Sequence, residues 1–182
     1  MLNYNNVIKD ELNHNGLSIR EISPIMKLNL RGKKREFFTS VGKNLNMILP
    51  TEANTSSASD KLTSIWLSPD EWMIVSNYAV QKDNNRYELE ESLYNNISKN
   101  NLGAVTDVSD QFVLLELEGN NIFELFSSGS PFNFNEFKEK KGSTTQTLLN
   151  NIDVIIHHKD ENLVNLFVRR SFSEHLCSWI ND

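Results

Sequence analysis

Leu28-Asn29-Leu30-Arg31-Gly32 and Leu115-Glu116-Leu117-Glu118-Gly119 are the two stretches whose reading decides the fold. Each alternates apolar and polar residues up to a glycine, the pattern of a half-buried strand. Each opens onto apolar residues at helical spacing: Phe37, Phe38, Val41 and Leu45 after the first, Ile122, Phe123 and Phe126 after the second. The offset between the copies is 87 residues, close to half of the 182 in the chain. A duplicated strand–helix unit accounts for the echo, and a repeat of this length means paired lobes rather than a solenoid. Gly32 is expected to mark the sharp turn from strand to helix.

Outward from the first copy, strands are expected at 17–21 and 25–31, a helix at 33–45, and strands at 64–67 and 72–75. The polar stretch 50–62 reads as a long exposed loop. Residues 84–100 read as an amphipathic helix carrying Leu89, Leu93 and Ile97. Around the second copy, strands are expected at 104–108, 112–117, 144–149, 152–157 and 163–168, and a helix at 120–126. A closing helix at 171–180 has Ser171 and Glu174 at capping-box spacing. Residues 1–16 read as an N-terminal arm or short helix. The expected class is α+β, with two pseudo-repeated β-β-α-β lobes at 17–103 and 104–182 that together make one compact unit.

Composition excludes several functions. The net charge of −6 argues against a nucleic-acid binder held by counterion release. Cys177 is the single cysteine, so neither an internal disulfide framework nor a Cys-based zinc site is possible. No two of the seven glycines lie closer than ten residues, which excludes a GxGxxG turn and a GxxxxGK[ST] loop. No apolar run approaches the ~20 residues of a spanning helix, and no export signal is evident. A cytoplasmic chain with no membrane contact is expected. The frequent asparagines, including the pairs 84–85 and 150–151, read as base composition with a mild physical effect.

The carboxylate pairs Asp70 with Glu71, Asp107 with Asp110, and Glu116 with Glu118 are the options for acid–base work. Asp107 and Asp110 bracket a corner where Asp and Ser more commonly bond the turn backbone. His157 and His158 are adjacent on a strand and should face opposite ways, as surface or boundary residues. His175 and Cys177 do not share a helix face, and His14 sits in the polar N-terminal stretch. Cys177 reads as a structural thiol. Ser128, Ser130 and Ser143 lack a GxSxG context. Lys33-Lys34-Arg35 and the run Lys138 to Lys141 read as solvated faces. One of Arg169 and Arg170 is expected in an interior or interface ion pair. Trp66 and Trp72 flank a turn at Pro69 and are expected in the core.

Several segments resemble one family: LPTEANT at 49–55, WLSPDEW at 66–72, AVTDVS at 104–109, FSSGSPF at 126–132, and VRRSFSEHLCSW at 168–179. Together, and in this order, they resemble the gamma subunit of heterotetrameric, tetrahydrofolate-linked sarcosine oxidase. Ser68 departs from the glycine usual in the WLxPDEW turn. The resemblance implies the folate-binding fold of the aminomethyltransferase (glycine-cleavage T-protein). It implies a complex that oxidatively demethylates sarcosine to glycine, releasing hydrogen peroxide, with methylenetetrahydrofolate formed when tetrahydrofolate is present. It implies alpha, beta and delta partner subunits that carry FAD, FMN, NAD, tetrahydrofolate and zinc. No catalytic, cofactor or metal residue is then expected in this chain. Two other functions compete. A stand-alone folate binder or folate-dependent one-carbon enzyme would grip the pterin with Asp107, Asp110 or Glu116. The folate-fold protein of iron–sulfur maintenance carries K-G-C-Y-x-G-Q-E, against which Lys141-Gly142-Ser143-Thr144-Thr145-Gln146 lacks the cysteine and the tyrosine.

Overall fold

The computed structural model describes residues 4–8, 11–14, 16–22 and 24–181. The chain divides into two compact units, Pro24–Ser109 and the combination of Met1–Ser23 with Asp110–Asp182. Two strands come first, β1 (Leu12–His14) and β2 (Leu17–Ile22). The Pro24–Ser109 unit holds β3 (Lys27–Gly32), α1 (Arg35–Leu45), β4 (Ser56–Ala58), β5 (Leu62–Ser68), β6 (Glu71–Ser76), α2 (Glu88–Leu93) and β7 (Gly103–Asp107). A π-helical turn, Tyr94–Ser98, extends α2. Then follow β8 (Phe112–Gly119), α3 (Ile122–Gly129), β9 (Thr144–Leu149), β10 (Ile152–Asp160), β11 (Leu163–Arg169) and α4 (Arg170–Asn181).

Both units are built on one plan. β3 leads into α1, the meander β4-β5-β6 returns, and β6 pairs antiparallel with β3, giving the order β4-β5-β6-β3-β7. β8 leads into α3, the meander β9-β10-β11 returns, and β11 pairs antiparallel with β8, giving β1-β2-β8-β11-β10-β9. The duplication expected from the two LxLxG stretches is thus present at the level of topology. The lobe boundaries differ from the expected 17–103 and 104–182. β2 pairs with β8, and β7 pairs with β3, so 17–22 joins the later unit and 103–107 stays in the earlier one. A strand on the free side of the central strand is needed in each unit. The second unit takes it from β2, which pairs antiparallel with β8. No helix forms at 4–8 or 11–14, where β1 pairs with β2 instead.

Alternation sets the cores. Leu28 and Leu30 face inward opposite Ile74 and Trp72, and α1 covers them with Phe37, Val41 and Leu45. Val113, Leu115 and Leu117 face inward beside Val168, Leu166 and Val164, under Ile122 and Phe126 of α3 and Leu176 and Ile180 of α4. Gly32 is needed for a reason other than a turn. It sits opposite Gly103 across β3 and β7, and a Cβ on Gly32 would meet the Phe37 ring at 2.4 Å. On Gly103 a Cβ would meet the Arg31 carbonyl at 2.2 Å. Gly119 does adopt a left-handed φ, +144°.

Three other expectations shift. The loop at 50–62 contains β4, which pairs with β5 from Ser56↔Ile65 to Ala58↔Thr63. The helix expected from residue 84 begins at Glu88, because Asn84 and Asn85 take left-handed φ values of 48° and 66° that no α-helix accommodates. Ser171 lies inside α4 and not ahead of it, since the helix starts at Arg170 directly from β11. Among the described residues, all eight non-glycine positions of positive φ are asparagine. The asparagines therefore carry turn geometry, including the two-residue Asn150-Asn151 link between β9 and β10 with φ 49° and 62°. No helix among the described residues is long and apolar enough to cross a membrane.

Two glycines should respond in opposite directions to alanine. Gly103→Ala forces backbone movement and should cost about 1–3 kcal/mol. Gly42→Ala, in mid-α1 with only the Met47 carbonyl within 4 Å, should stabilise by about 0.5–1 kcal/mol. Urea unfolding midpoints of the two variants against the parent chain measure both.

Candidate functional site

The WLSPDEW stretch is the β5–β6 hairpin. Trp66 and Trp72 lie directly opposite each other across it. Trp72 is 1% exposed and Trp66 only partly buried. The Trp72 indole N–H donates to the Pro50 carbonyl at 2.8 Å. Its ring meets Phe37 and Phe38 of α1 at 5.8 and 5.3 Å. The LPTEANT loop and the hairpin are therefore one structural element. At the hairpin tip, Asp70 accepts a bond from the Ser68 hydroxyl at 2.9 Å and faces Lys33 at 3.4 Å. The Ser68 bond, then Lys33 and Arg31, hold the Asp70 carboxyl below its ordinary range. Glu71 accepts from Asn29 at 2.7 Å. Lys33 is thus an ion-pair partner and not simply part of a solvated run.

Asp107 and Asp110 fall in different units. Asp107 pairs with Lys82 at 2.6 Å and accepts the Ser109 backbone N–H at 2.9 Å. Burial pushes its carboxyl up, but the bonds from Lys82 and Ser109 outweigh this and hold it low. The corner role foreseen for Asp and Ser is what Asp107 and Ser109 perform. The Ser109 hydroxyl accepts from the Lys27 N–H at 2.9 Å. The Lys27 ammonium, 3% exposed, donates to the carbonyls of Ile25 and Ser109 at 3.2 and 3.1 Å. Asp110 accepts through its backbone carbonyl from Arg170 Nε at 3.0 Å. Sequence reasoning missed Lys27 and Lys82, whose separation from residues 107–109 hides the contact.

Glu116 is the most buried of the candidate carboxylates, at 5% exposure. Arg20 Nε and Lys159 Nζ donate to it at 2.9 and 2.8 Å, and Arg20 Nη2 adds a further contact. Burial raises its carboxyl, and the two cations more than reverse that. Glu118, next along the same face, is exposed. Strand register sets Glu116 in a row across the sheet, Arg20–Glu116–Asn165–His157–Thr144. Asn165, His157 and Thr144 are all buried, and the Thr144 hydroxyl has no hydrogen-bond partner among the described residues.

His157 and His158 do point to opposite faces, but neither is a surface residue: they are 4% and 3% exposed. Their flanking positions are covered because β10 lies inside the sheet, between β9 and β11. Burial, then Lys159 and His158, push the His157 pKa down to about 4. His158 stacks on Phe137 at 5.9 Å and meets Phe123 edge-on at 5.4 Å. Its Nδ1 lies 3.2 Å from the carbonyls of Phe137 and Lys140. Two acceptors there require the proton on Nδ1. The ring thereby pins the 137–140 segment to the sheet. His175 lies on α4, and His14 is in β1.

The remaining candidates also have structural roles. Cys177 is buried, and burial pushes its thiol up to about 12, far from a nucleophile's range. Arg170 makes no ion pair among the described residues; its guanidinium lies 4.3 Å from the Tyr4 ring. Arg169 is exposed. In the Lys138 to Lys141 run, Lys141 pairs with Asp160 at 2.8 Å. Ser128 and Ser130 bond nearby loop and helix groups, and Ser143 is buried with its carbonyl accepting from His158. No group of three or more His, Cys, Asp or Glu that could hold a metal occurs among the described residues. In the Pro24–Ser109 unit, Met26, Leu45, Leu62, Val80, Leu89 and Tyr78 line an open cleft of about 590 Å³. Tyr78 at its rim is 50% exposed, and Ile48 of the same unit is 84% exposed.

The sequence model of the sarcosine oxidase, gamma subunit family matches residues 32–182. The chain belongs to that family. The match covers most of both units. A search of curated proteins finds no match. Among solved structures, the chain is similar to a heterotetrameric sarcosine oxidase from Corynebacterium sp. U-96, determined with pyrrole 2-carboxylate. The TM-score is 0.80 at 21% identity, over 91% of this chain and 82% of that one. It is also similar to the glycine cleavage system aminomethyltransferase T from Bartonella henselae. There the TM-score is 0.64 at 17% identity, over 91% of this chain and 45% of that one. The chain thus shares its fold with the aminomethyltransferase, as the family resemblance implied.

The neutral His157 makes stability pH-dependent. A histidine whose pKa falls from 6.5 unfolded to about 4 folded favours the native state above 6.5. That contribution is lost as pH falls through about 4 and amounts to about 3 kcal/mol at most. Unfolding free energies at pH 7 and pH 4 should differ less in His157→Gln than in the parent. Thr144→Val, which removes an unpaired hydroxyl without changing shape, should be neutral or stabilising by up to about 1 kcal/mol in the same assay.

Proposed function

We propose that this chain is a noncatalytic gamma subunit that supports the assembly of a sarcosine oxidase with alpha, beta and delta partners in the cytoplasm. The family match across residues 32–182 is the observation that carries this reading. The complex would convert sarcosine and O2 to glycine and hydrogen peroxide, the methyl carbon leaving as methylenetetrahydrofolate when tetrahydrofolate accepts it. Substrate chemistry, FAD, FMN, NAD, tetrahydrofolate and zinc would belong to the partners.

The local chemistry supports that division of labour. A dinucleotide or flavin phosphate needs closely spaced glycines at a helix start, and the glycines here stand at least ten residues apart. A pterin grip needs a carboxylate with free acceptor capacity. Asp107 is committed to Lys82 and Ser109, and Glu116 to Arg20 and Lys159. Those ion pairs support a structural role for both carboxylates. A shared fold with a folate-dependent enzyme does not carry its activity along. The apolar side chains left exposed, Ile48, Tyr78, Leu148 and Phe172, suit a chain that buries surface against partners.

Affinity purification of the full chain from its native cell tests the reading. A yellow complex with flavin absorbance and three further subunits, burying roughly 1,600 Å² or more against this chain, is expected. A colourless chain without partners would sink it. Within the complex, Asp107→Asn should leave assembly intact and turnover within about two-fold. Loss of tetrahydrofolate-dependent turnover in a normally assembled variant would favour the folate-binder alternative.

A further inference from the structure

One end of the six-stranded sheet holds two opposite charges that do not meet. β8, β11, β10 and β9 are consecutive in that sheet. Register sets Phe112 beside Arg169, and Asp153 beside Leu148. Val154 pairs with Val168, so the next rung brings Asp153 beside Arg169. The result is one row across four strands, Phe112–Arg169–Asp153–Leu148. Val113, Val168, Val154 and Leu149 alternate with these residues and belong to the core. The row therefore lies on the sheet face away from that core.

Arg169 and Asp153 are both exposed. Opposite charges at facing strand positions attract and ordinarily pair. Among the described residues, neither side chain makes an ion pair or a hydrogen bond. Both instead line an open cleft of about 570 Å³, with Phe112, Pro131, Leu148 and Ile155. Ile155 is 7% exposed and gives the cleft an apolar floor. Of the two arginines in the VRRSF stretch, Arg170 is committed to the Asp110 carbonyl and the Tyr4 ring, and Arg169 is the one left to this cleft. A guanidinium, a carboxylate and apolar surface thus stand at neighbouring positions.

We propose that this cleft binds a free α-amino acid with an apolar side chain, its carboxylate on Arg169, its ammonium on Asp153 and its side chain over Ile155 and Phe112. A guanidinium takes a carboxylate through two parallel N–H donors, and a carboxylate accepts from an ammonium. In an α-amino acid the two charged groups share one carbon, so a single small molecule serves two neighbouring side chains. A simple anion or cation would satisfy one of the two and leave the other. A single charged side chain of another protein has the same defect. The site stands whether or not the chain assembles with partners.

Isothermal titration calorimetry on the full chain tests this with L-leucine as the probe. A Kd of about 1 mM or tighter is expected. Isoamylamine lacks the carboxylate, 4-methylpentanoate lacks the ammonium, and glycine lacks the apolar side chain. Each should bind at least about ten-fold more weakly than leucine. Arg169→Gln and Asp153→Asn change exposed side chains and should keep the parent's circular dichroism spectrum. Each should weaken leucine binding about ten-fold or more. Absence of binding heat up to about 10 mM leucine overturns the site. Undiminished leucine binding in either variant also overturns it, as does any of the three analogues binding as tightly as leucine. None of these outcomes depends on whether partner subunits co-purify, so the subunit reading stands or falls separately.

Discussion

A buried indole cannot leave its N–H unpaired without a penalty of a few kcal/mol, and Trp72 is almost completely buried. Satisfying that one donor fixes much of the Pro24–Ser109 unit. The Pro50 carbonyl must come to it, which draws the loop after α1 back over the β5–β6 hairpin. The indole faces pack on Phe37 and Phe38, which sets how α1 lies on the sheet. Phe37 in turn leaves no room for a side chain on Gly32 or Gly103, so β3 and β7 meet through paired glycines beneath its ring. A hydrogen bond, three aromatic rings and two glycines thus connect segments that are far apart in sequence.

Charge in this chain serves the same end. Asp70, Asp107 and Glu116 each hold their ionised form through close cationic or hydroxyl partners. A catalytic carboxylate needs the opposite, an environment that leaves its proton poised near neutral pH. Burial moves His157 away from neutrality in the other direction, toward a lower pKa.

Much of this architecture was legible from the residues. Alternation at Leu28-Asn29-Leu30 and Leu115-Glu116-Leu117 located both central strands, and the LxLxG echo revealed the duplication. The two glycines that define the echo act for different reasons, a ring overhead at Gly32 and a left-handed backbone at Gly119, which periodicity alone does not separate. The lobe boundary was misplaced because a strand's pattern records that it is half buried and not which neighbour it pairs with. The asparagines were undervalued because left-handed turn positions leave no hydrophobic signature. Partners of the candidate carboxylates, such as Lys82 for Asp107, Arg20 for Glu116 and Lys27 beside Ser109, come from distant segments and carry no local motif.

The N-terminal origin of β2 bears on how the molecule assembles during synthesis. Residues 17–22 leave the ribosome early, yet their partner β8 emerges only after the whole of 24–109. Taken alone, that pairing would have a high contact order and a large loop-closure cost. The intervening unit is contiguous, however, and its two ends are tied where Lys27 bonds Ser109 and the Val108 N–H donates to the Lys27 carbonyl. Once it has folded, the long insertion behaves as a short connector, and β2 waits beside the point where β8 begins. Directional synthesis favours folding of the contiguous 24–109 unit before β8 is available to pair with β2.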